Sequence, residues 1–300
     1  MPQRPKTHAH PPLACEIFPD RVVAARLAES RQNLELHTSR QLPAGTVKPS
    51  LTNQNVLDAS MLSGRISEAL SALSARSRDV ITIIPDAAAR VVLLDFEQLP
   101  ESPEEATGVL RFRLKKSLPF DVEKAVISYH AHQSPAGLKV VAVVALASVR
   151  EEYEMAFTHA GYSPGIVLPS TLAALGMVDG ATPTMVIKVS DGSATVAIVD
   201  QNELRLLRTL EVASRNGMDP VRLADEVYPS LVFFEDQFGA SVQRVLIGGA
   251  ASARDLAPAL GAHSSAPVED LVDESYLSGS LGSAAGSSGM LAGVAGALLA

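Results

Sequence analysis

The sequence predicts a mixed α/β protein of two lobes. Three observations carry this expectation: β-branched runs and amphipathic stretches alternate along the chain, the two halves open with the same strand-turn-strand pattern, and 300 residues favour two domains of similar size. The lobes are expected at residues 13–178 and 179–300, after a flexible tail of residues 1–12. A small inserted α+β subdomain is expected at about residues 86–147.

The opening hairpin follows from Cys15-Glu16-Ile17-Phe18 and Val22 to Leu27, two apolar runs divided by Pro19-Asp20. A third strand is expected over Leu34 to Arg40. From Ala59 to Ala75, Leu62, Ile66, Ala69, Leu70 and Leu73 recur at helical spacing. Val80-Ile81-Thr82-Ile83-Ile84 reads as a strand covered on both faces, because nearly every residue is apolar.

In the inserted subdomain, a strand over Val91 to Phe96 precedes a helix. Its first turn holds Glu101, Glu104 and Glu105 and its end holds Arg111, Arg113, Lys115 and Lys116, complementing the helix dipole. Leu118-Pro119-Phe120 stops it. Val126 to His132 and Lys139 to Ala147 read as a hairpin about Ser134-Pro135-Ala136-Gly137. A helix over Glu151 to His159 ends at Gly161, and Ile166 to Pro169 leads into a short helix near Ser170 to Met177.

The second lobe repeats the opening. Met185 to Val189, the turn Ser190-Asp191-Gly192-Ser193, and Thr195 to Val199 form its hairpin, followed by a strand at Leu204 to Thr209. A long helix at Pro220 to Phe238, a strand at Val242 to Ile247, and a helix opened by Gly248-Gly249 and running through Leu260 complete the pattern. The Gly/Ser/Ala-rich stretch from Ser278 to Gly289 is flexible by composition, and Met290 to Ala300 reads as a helix returning to the body.

Composition excludes several classes. A net charge of −8 disfavours a nonspecific nucleic-acid binder. One cysteine, Cys15, gives no internal disulfide and no zinc spacing, which suits a reducing compartment. The start of the chain has no signal-type apolar run, and Met290 to Ala300 falls well short of the ~20 residues that a spanning helix needs. Ser170, Ser190 and Ser193 lack a nucleophile-elbow setting or a partnered histidine. His8 and His10 without a third fixed group make a poor metal site.

The run Ile81 to Pro85, then Leu99-Pro100, the charged helix, Leu118-Pro119-Phe120 and Ile127-Ser128-Tyr129 resembles the PilM family of type IV pilus assembly proteins in order and spacing. The resemblance continues through Val141 to Ala147, Glu151 to Gly161, Pro169 to Ala174, Gly248-Gly249 and the terminal helix. It implies an actin/FtsA-like, duplicated ribonuclease-H-like fold around a nucleotide cleft. The expected role is a scaffold at the cytoplasmic face of a bacterial inner membrane, reached through its partner and binding the N-terminal peptide of a PilN-like membrane protein. The related GspL-type proteins of type II secretion share this pattern but normally continue into the membrane. A homodimer is a further partner expectation, and nucleic acid is not expected.

By the same resemblance the peptide groove involves Pro85, Arg90, Leu118, Pro119 and Phe120, and the nucleotide contacts involve Lys188, Ser190, Asp191, Gly192, Ser193, Gly248 and Gly249. The implied cofactor is ATP with magnesium, but two places depart from the phosphate-turn pattern. Glu16-Ile17-Phe18-Pro19 puts bulk, and a residue without an N–H, where a glycine turn belongs. Lys188 stands where the family has an aspartate, and a lysine does not ligate magnesium; a one-residue slip would offer Asp191 instead. Hydrolysis is therefore expected to be weak or lost, with an active ATPase or sugar kinase as the alternative and a filament former as a third reading.

Plainer roles stand beside these. The glycine pair reads equally as a tight strand-to-helix turn, Glu16 as a partly exposed strand carboxylate, the basic helix end as a solvated face, and Cys15 as core packing.

Overall fold

A computed structural model describes residues 10–134, 137–212, 218–277 and 288–300. Most of the expected tail (residues 1–9), Pro135 and Ala136 of the expected turn, and residues 278–287 of the Gly/Ser/Ala-rich stretch lie outside the described residues.

The first half runs β1 (Leu13–Ile17), β2 (Arg21–Leu27), β3 (Leu34–Gln41), α1 (Ala59–Ala72), β4 (Asp79–Ile84), β5 (Arg90–Phe96), α2 (Pro103–Leu114), β6 (Ala125–Ser134), β7 (Gly137–Leu146), α3 (Ala147–His159), β8 (Ser163–Pro169) and α4 (Ser170–Ala174). The second half runs β9 (Thr184–Ser190), β10 (Ser193–Asp200), β11 (Glu203–Glu211), α5 (Pro220–Phe238), β12 (Arg244–Gly249), α6 (Ala253–Leu260), β13 (Val268–Asp270) and α7 (Ala292–Leu299).

Two five-stranded sheets share one topology. Their orders are β3-β2-β1-β4-β8 and β11-β10-β9-β12-β13, each with antiparallel hairpin strands beside parallel ones. A third sheet, β5-β7-β6, packs Val140, Ala142 and Val144 against Leu110 and Leu114 of α2.

The uniform apolarity of β4 has a direct cause. Val80 and Ile84 join Ile66 and Leu70 of α1 and Tyr153 and Phe157 of α3, while Ile81 and Ile83 face Val294, Ala295 and Leu298 of α7. The last helix also places Ala292 against Val186, Ala197 and Leu246 of the second sheet. It is therefore wedged between the two sheets, and its small residues permit the close approach: Gly296 lies against the Ala173 carbonyl, and Gly176 lies against Gly296.

Helix ends follow side-chain chemistry. Asp58 accepts from Met61 N at 2.9 Å to start α1, and Asp219 accepts from Val221 N at 3.0 Å ahead of Pro220 to start α5. Two sequence expectations need correction. The strand expected at Val242 begins at Arg244 and includes the glycine pair, and the helix expected to open there begins at Ala253. Gly249 adopts a left-handed φ of 83°, which ends the strand without starting a helix, and a capping box between Ser252 and Asp255 sets the start instead. The edge strand β13 was not anticipated, because its exposed Glu269 and Asp270 carry no apolar alternation.

The basic end of α2 is also not simply a solvated face. Arg111 donates to the carbonyls of Val122 and Ala125, the latter at 3.1 Å, and pins the following turn; Arg113, Lys115 and Lys116 are exposed. Among the described residues, no helix is long and apolar enough to cross a membrane.

Candidate functional site

The opening hairpins of the two sheets face one another. On β1, Glu16 pairs opposite Val23, and on β9, Lys188 pairs opposite Thr195, so each sits across from the residue seven positions later. The two side chains meet. Lys188 Nζ donates to Glu16 Oε1 and to Ser170 Oγ, and Ser170 Oγ donates to the same carboxylate oxygen at 2.6 Å.

Glu16 is 0% exposed and Lys188 3%, which corrects the expectation that Glu16 is a partly exposed strand carboxylate. The continuous apolar neighbours on β1 take it into the interior, and the ammonium supplies the counter-charge that makes its burial tolerable. The remaining oxygen, Oε2, has no hydrogen-bond partner among the described residues and lies against Gly293, where an added Cβ would collide with the carboxylate. Burial pushes the Glu16 carboxyl above the usual range, the charge and hydrogen bonds of Lys188 and the Ser170 hydroxyl oppose this, and Asp86 adds to the rise. Lys188 Nζ also stands 4.9 Å from the centroid of the Phe18 ring.

A cavity of about 640 Å³ opens over this pair. Lys188, Ser190, Asp191, Gly192 and Ser193 all line it, together with the first-turn residues Ile17 to Asp20. The glycine pair does not. Gly248 is closed in by Ala292, and Gly249 is closed in by the Val189 carbonyl and Gly289, so their small size serves packing between β12, β9 and the C-terminal segment.

The residues present do not fit a magnesium-bound phosphate group. The amide of Phe18 is spent on the Arg21 carbonyl at 2.8 Å, Pro19 has none, and the amide of Ala250 is spent on the Val189 carbonyl at 2.8 Å. Lys188 brings a fixed positive charge, already neutralised by Glu16, and has no oxygen to offer a divalent cation. The cavity wall otherwise sets one cation, Lys48, against the four carboxylates of Asp20, Asp86, Asp191 and Glu211, an acidic balance that disfavours phosphate. Among the described residues, no group of three or more His, Cys, Asp or Glu is placed to hold a metal.

A second cavity of about 610 Å³ adjoins the first, and Pro49, Asp86, Ala87, Ser193 and Glu211 line both. Of the residues expected to form a peptide groove, Arg90 and Pro119 line this second cavity and Pro85 lines the first. Leu118 and Phe120 instead pack against the core of the inserted sheet. Two further walls carry no signal in the sequence. One is the loop from Pro49 to Thr52, and the other is Leu207 to Thr209 of β11.

The loop is shaped by Asn55, which is fully buried. Its Oδ1 accepts from Ser50 N at 3.0 Å and Tyr153 OH at 3.1 Å, and its Nδ2 donates to the carbonyls of Ser50 and Asn53 at 2.8 and 2.7 Å. Glu152 on α3 accepts from the backbone of Asn55 and Val56 at 2.7 and 2.8 Å. Asp86, on the wall common to both cavities, accepts from Thr171 N at 2.9 Å and from its hydroxyl at 2.5 Å. Ser170 and Thr171 are consecutive, so one short segment touches both the ion pair and the groove wall. Cys15 is buried and its thiol is pushed far up by burial, as expected of a core residue.

No family model matches the sequence, and no curated protein matches it. Solved structures do match the fold. A chain of the PilM–PilN type IV pilus biogenesis complex superposes with a TM-score of 0.80 at 18% identity, covering 96% of this chain and 97% of that one. The ethanolamine utilization protein EutJ from Carboxydothermus hydrogenoformans matches with a TM-score of 0.53 at 10% identity, over 96% and 90% of the two chains. The cytoplasmic domain of EpsL, an inner membrane component of the type II secretion system of Vibrio cholerae, matches with a TM-score of 0.52 at 10% identity, over 79% and 81%. At these identities the likeness is one of fold, and that fold is the two-lobed, actin-like one.

Proposed function

We propose that this chain is a docking scaffold of a type IV pilus or related secretion platform, working at the cytoplasmic face of an inner membrane and binding the N-terminal cytoplasmic peptide of a PilN-like membrane protein. The observation that carries this reading is the superposition on the PilM–PilN complex over nearly the whole of both chains. The groove adds to it. Proline and small side chains at Pro49, Ala87 and Pro119 offer apolar contact, and Arg90 and Arg208 offer charged donors, a lining suited to an extended segment. Pro85 remains part of the proposed site through the adjoining cavity, whereas Leu118 and Phe120 would act by holding Pro119 in place.

Nucleotide turnover is not part of the proposed role, since Phe18, Pro19 and Lys188 remove donors and a metal ligand from the cleft. Titration of the purified protein with a synthetic peptide of the N-terminal cytoplasmic segment of a PilN-like membrane protein tests the proposal. Saturable binding is expected, weakened by Arg90→Glu; absence of binding by folded protein overturns it.

A further inference from the structure

The shape of a groove lined by two sheets depends on how those sheets are held together. Here the groove is built from both. Pro49 to Thr52, Asp86, Ala87, Ala89 to Val91 and Pro119 come from the first half, and Ser193, Leu207 to Thr209 and Glu211 come from the second. Whatever fixes one sheet relative to the other also fixes the groove.

The connection nearest the cleft is the buried pair of Glu16 and Lys188. Each residue lies at the same register of the first strand of its sheet, and Ser170 completes the contact from the segment that crosses between the halves. Two carboxylates at these positions would repel one another and would need a cation to hold them together. An ammonium in place of one carboxylate supplies that positive charge covalently, at the end of a side chain.

We propose that the Glu16–Lys188 ion pair is an intramolecular clasp that replaces a bridging divalent cation and keeps the two-sided groove assembled without nucleotide. The claim about the groove rests on the docking role proposed above; the claim about the clasp does not. From the pair, order passes through Ser170 to Thr171, and from Thr171 to Asp86 on the groove wall. Gly293 on α7 keeps the space beside the carboxylate open, so the wedge helix and the clasp close together. In this arrangement the chain would be a constitutive binder, with no ligand-gated open state.

The test uses the full chain with spin labels at Glu68→Cys on α1 and Glu226→Cys on α5, both exposed positions on opposite halves. Cys15 is buried and stays unlabelled. Pulsed electron resonance is expected to give one narrow distance distribution, unchanged by ATP with magnesium. Lys188→Met is expected to broaden and lengthen it. Lys188→Asp is expected to do the same in a chelator and to return toward the original distance in millimolar magnesium. An unchanged distribution in folded Lys188→Met, a shift of the unsubstituted chain with magnesium-ATP, or indifference of Lys188→Asp to magnesium each overturns the clasp. Should Lys188→Met not fold, Glu16→Gln keeps the shape, removes the charge and is read in the same way. Peptide titration is the separate arm. If the open population leaves a tenth of molecules competent, the apparent Kd rises about tenfold, while a chain that binds no peptide at all refutes the docking role and leaves the distance result to decide the clasp.

Discussion

Glu16 and Lys188 are equivalent residues of two equivalent hairpins, and they carry opposite charges that meet in the interior. The duplicated topology makes this contact geometrically available, because the central strands of both sheets end at the same cleft. Opposite signs then decide its chemistry. The positions join directly, where like signs would have called for a third partner.

Because the pair is buried, its worth depends on which half is removed. Lys188→Met leaves an uncompensated carboxylate and is expected to cost about 3–5 kcal/mol. Glu16→Met together with Lys188→Met removes both charges and is expected to recover most of that loss. Urea denaturation of the single and double variants checks this; a double variant no more stable than Lys188→Met would show that the pair is not coupled as its geometry indicates.

Magnesium-ATP is expected to leave the melting temperature unchanged. A nucleotide at 100 times its Kd stabilises a folded protein by about 2.7 kcal/mol, a shift that thermal scanning resolves easily. A clear magnesium-dependent rise would restore the ATPase or sugar-kinase reading and place the phosphates somewhere other than the spent amides of Phe18 and Ala250.

The strands and most helices were legible because their signals are local. Val80 to Ile84 is β-branched throughout, and α1 shows its stripe in Leu62, Ile66, Ala69 and Leu70. What the sequence hid depends on distant partners. Glu16 reads as a partly exposed strand carboxylate until Lys188, 172 positions away, is brought against it. A signal did exist: one carboxylate in one apolar strand and one ammonium in another, at matching places of a repeat. The loop walls were invisible for another reason. Pro49 to Thr52 has no periodicity, and its shape resides in Asn55, whose role depends on Tyr153 and Glu152 of a helix far along the chain.

Asn55 is accordingly expected to be sensitive. Asn55→Ala leaves the Tyr153 hydroxyl and the Ser50 amide without their acceptor and should cost about 1–3 kcal/mol. Since Ser50 to Thr52 form one groove wall, peptide binding should weaken by more than the loss of folded protein explains. Hydrogen exchange is expected to accelerate over residues 49–56. Unchanged exchange there would show that the loop holds its shape by other means.

Gly293 tests the wedge between the sheets. A methyl group at this position would meet both oxygens of Glu16, and Gly293→Ala is expected to cost about 1–3 kcal/mol through overpacking. Gly64, which has open space around it on α1, is the control: Gly64→Ala should be neutral or stabilising. Equal effects at the two sites would mean that α7 shifts freely away from the carboxylate.

His37 should set part of the response to acid. The residue is 5% exposed on β3, its Nδ1 lacks a hydrogen-bond partner among the described residues, and burial holds its pKa below the ordinary value of 6.5. The unfolded chain then takes up this proton before the folded one does. The contribution of His37 is therefore fully present above about pH 6.5 and is lost as pH falls through the lower folded-state value. Glu16 acts with the opposite sign, since its raised carboxyl favours the folded chain most below the ordinary carboxylate range and less as pH rises through its folded value. The two are separated by comparing the unsubstituted chain with His37→Leu, in which the Glu16 contribution is common and cancels. Urea denaturation from pH 8 to pH 5 should show stability falling less steeply in His37→Leu; parallel curves would mean that His37 is free to accept its proton in the folded state.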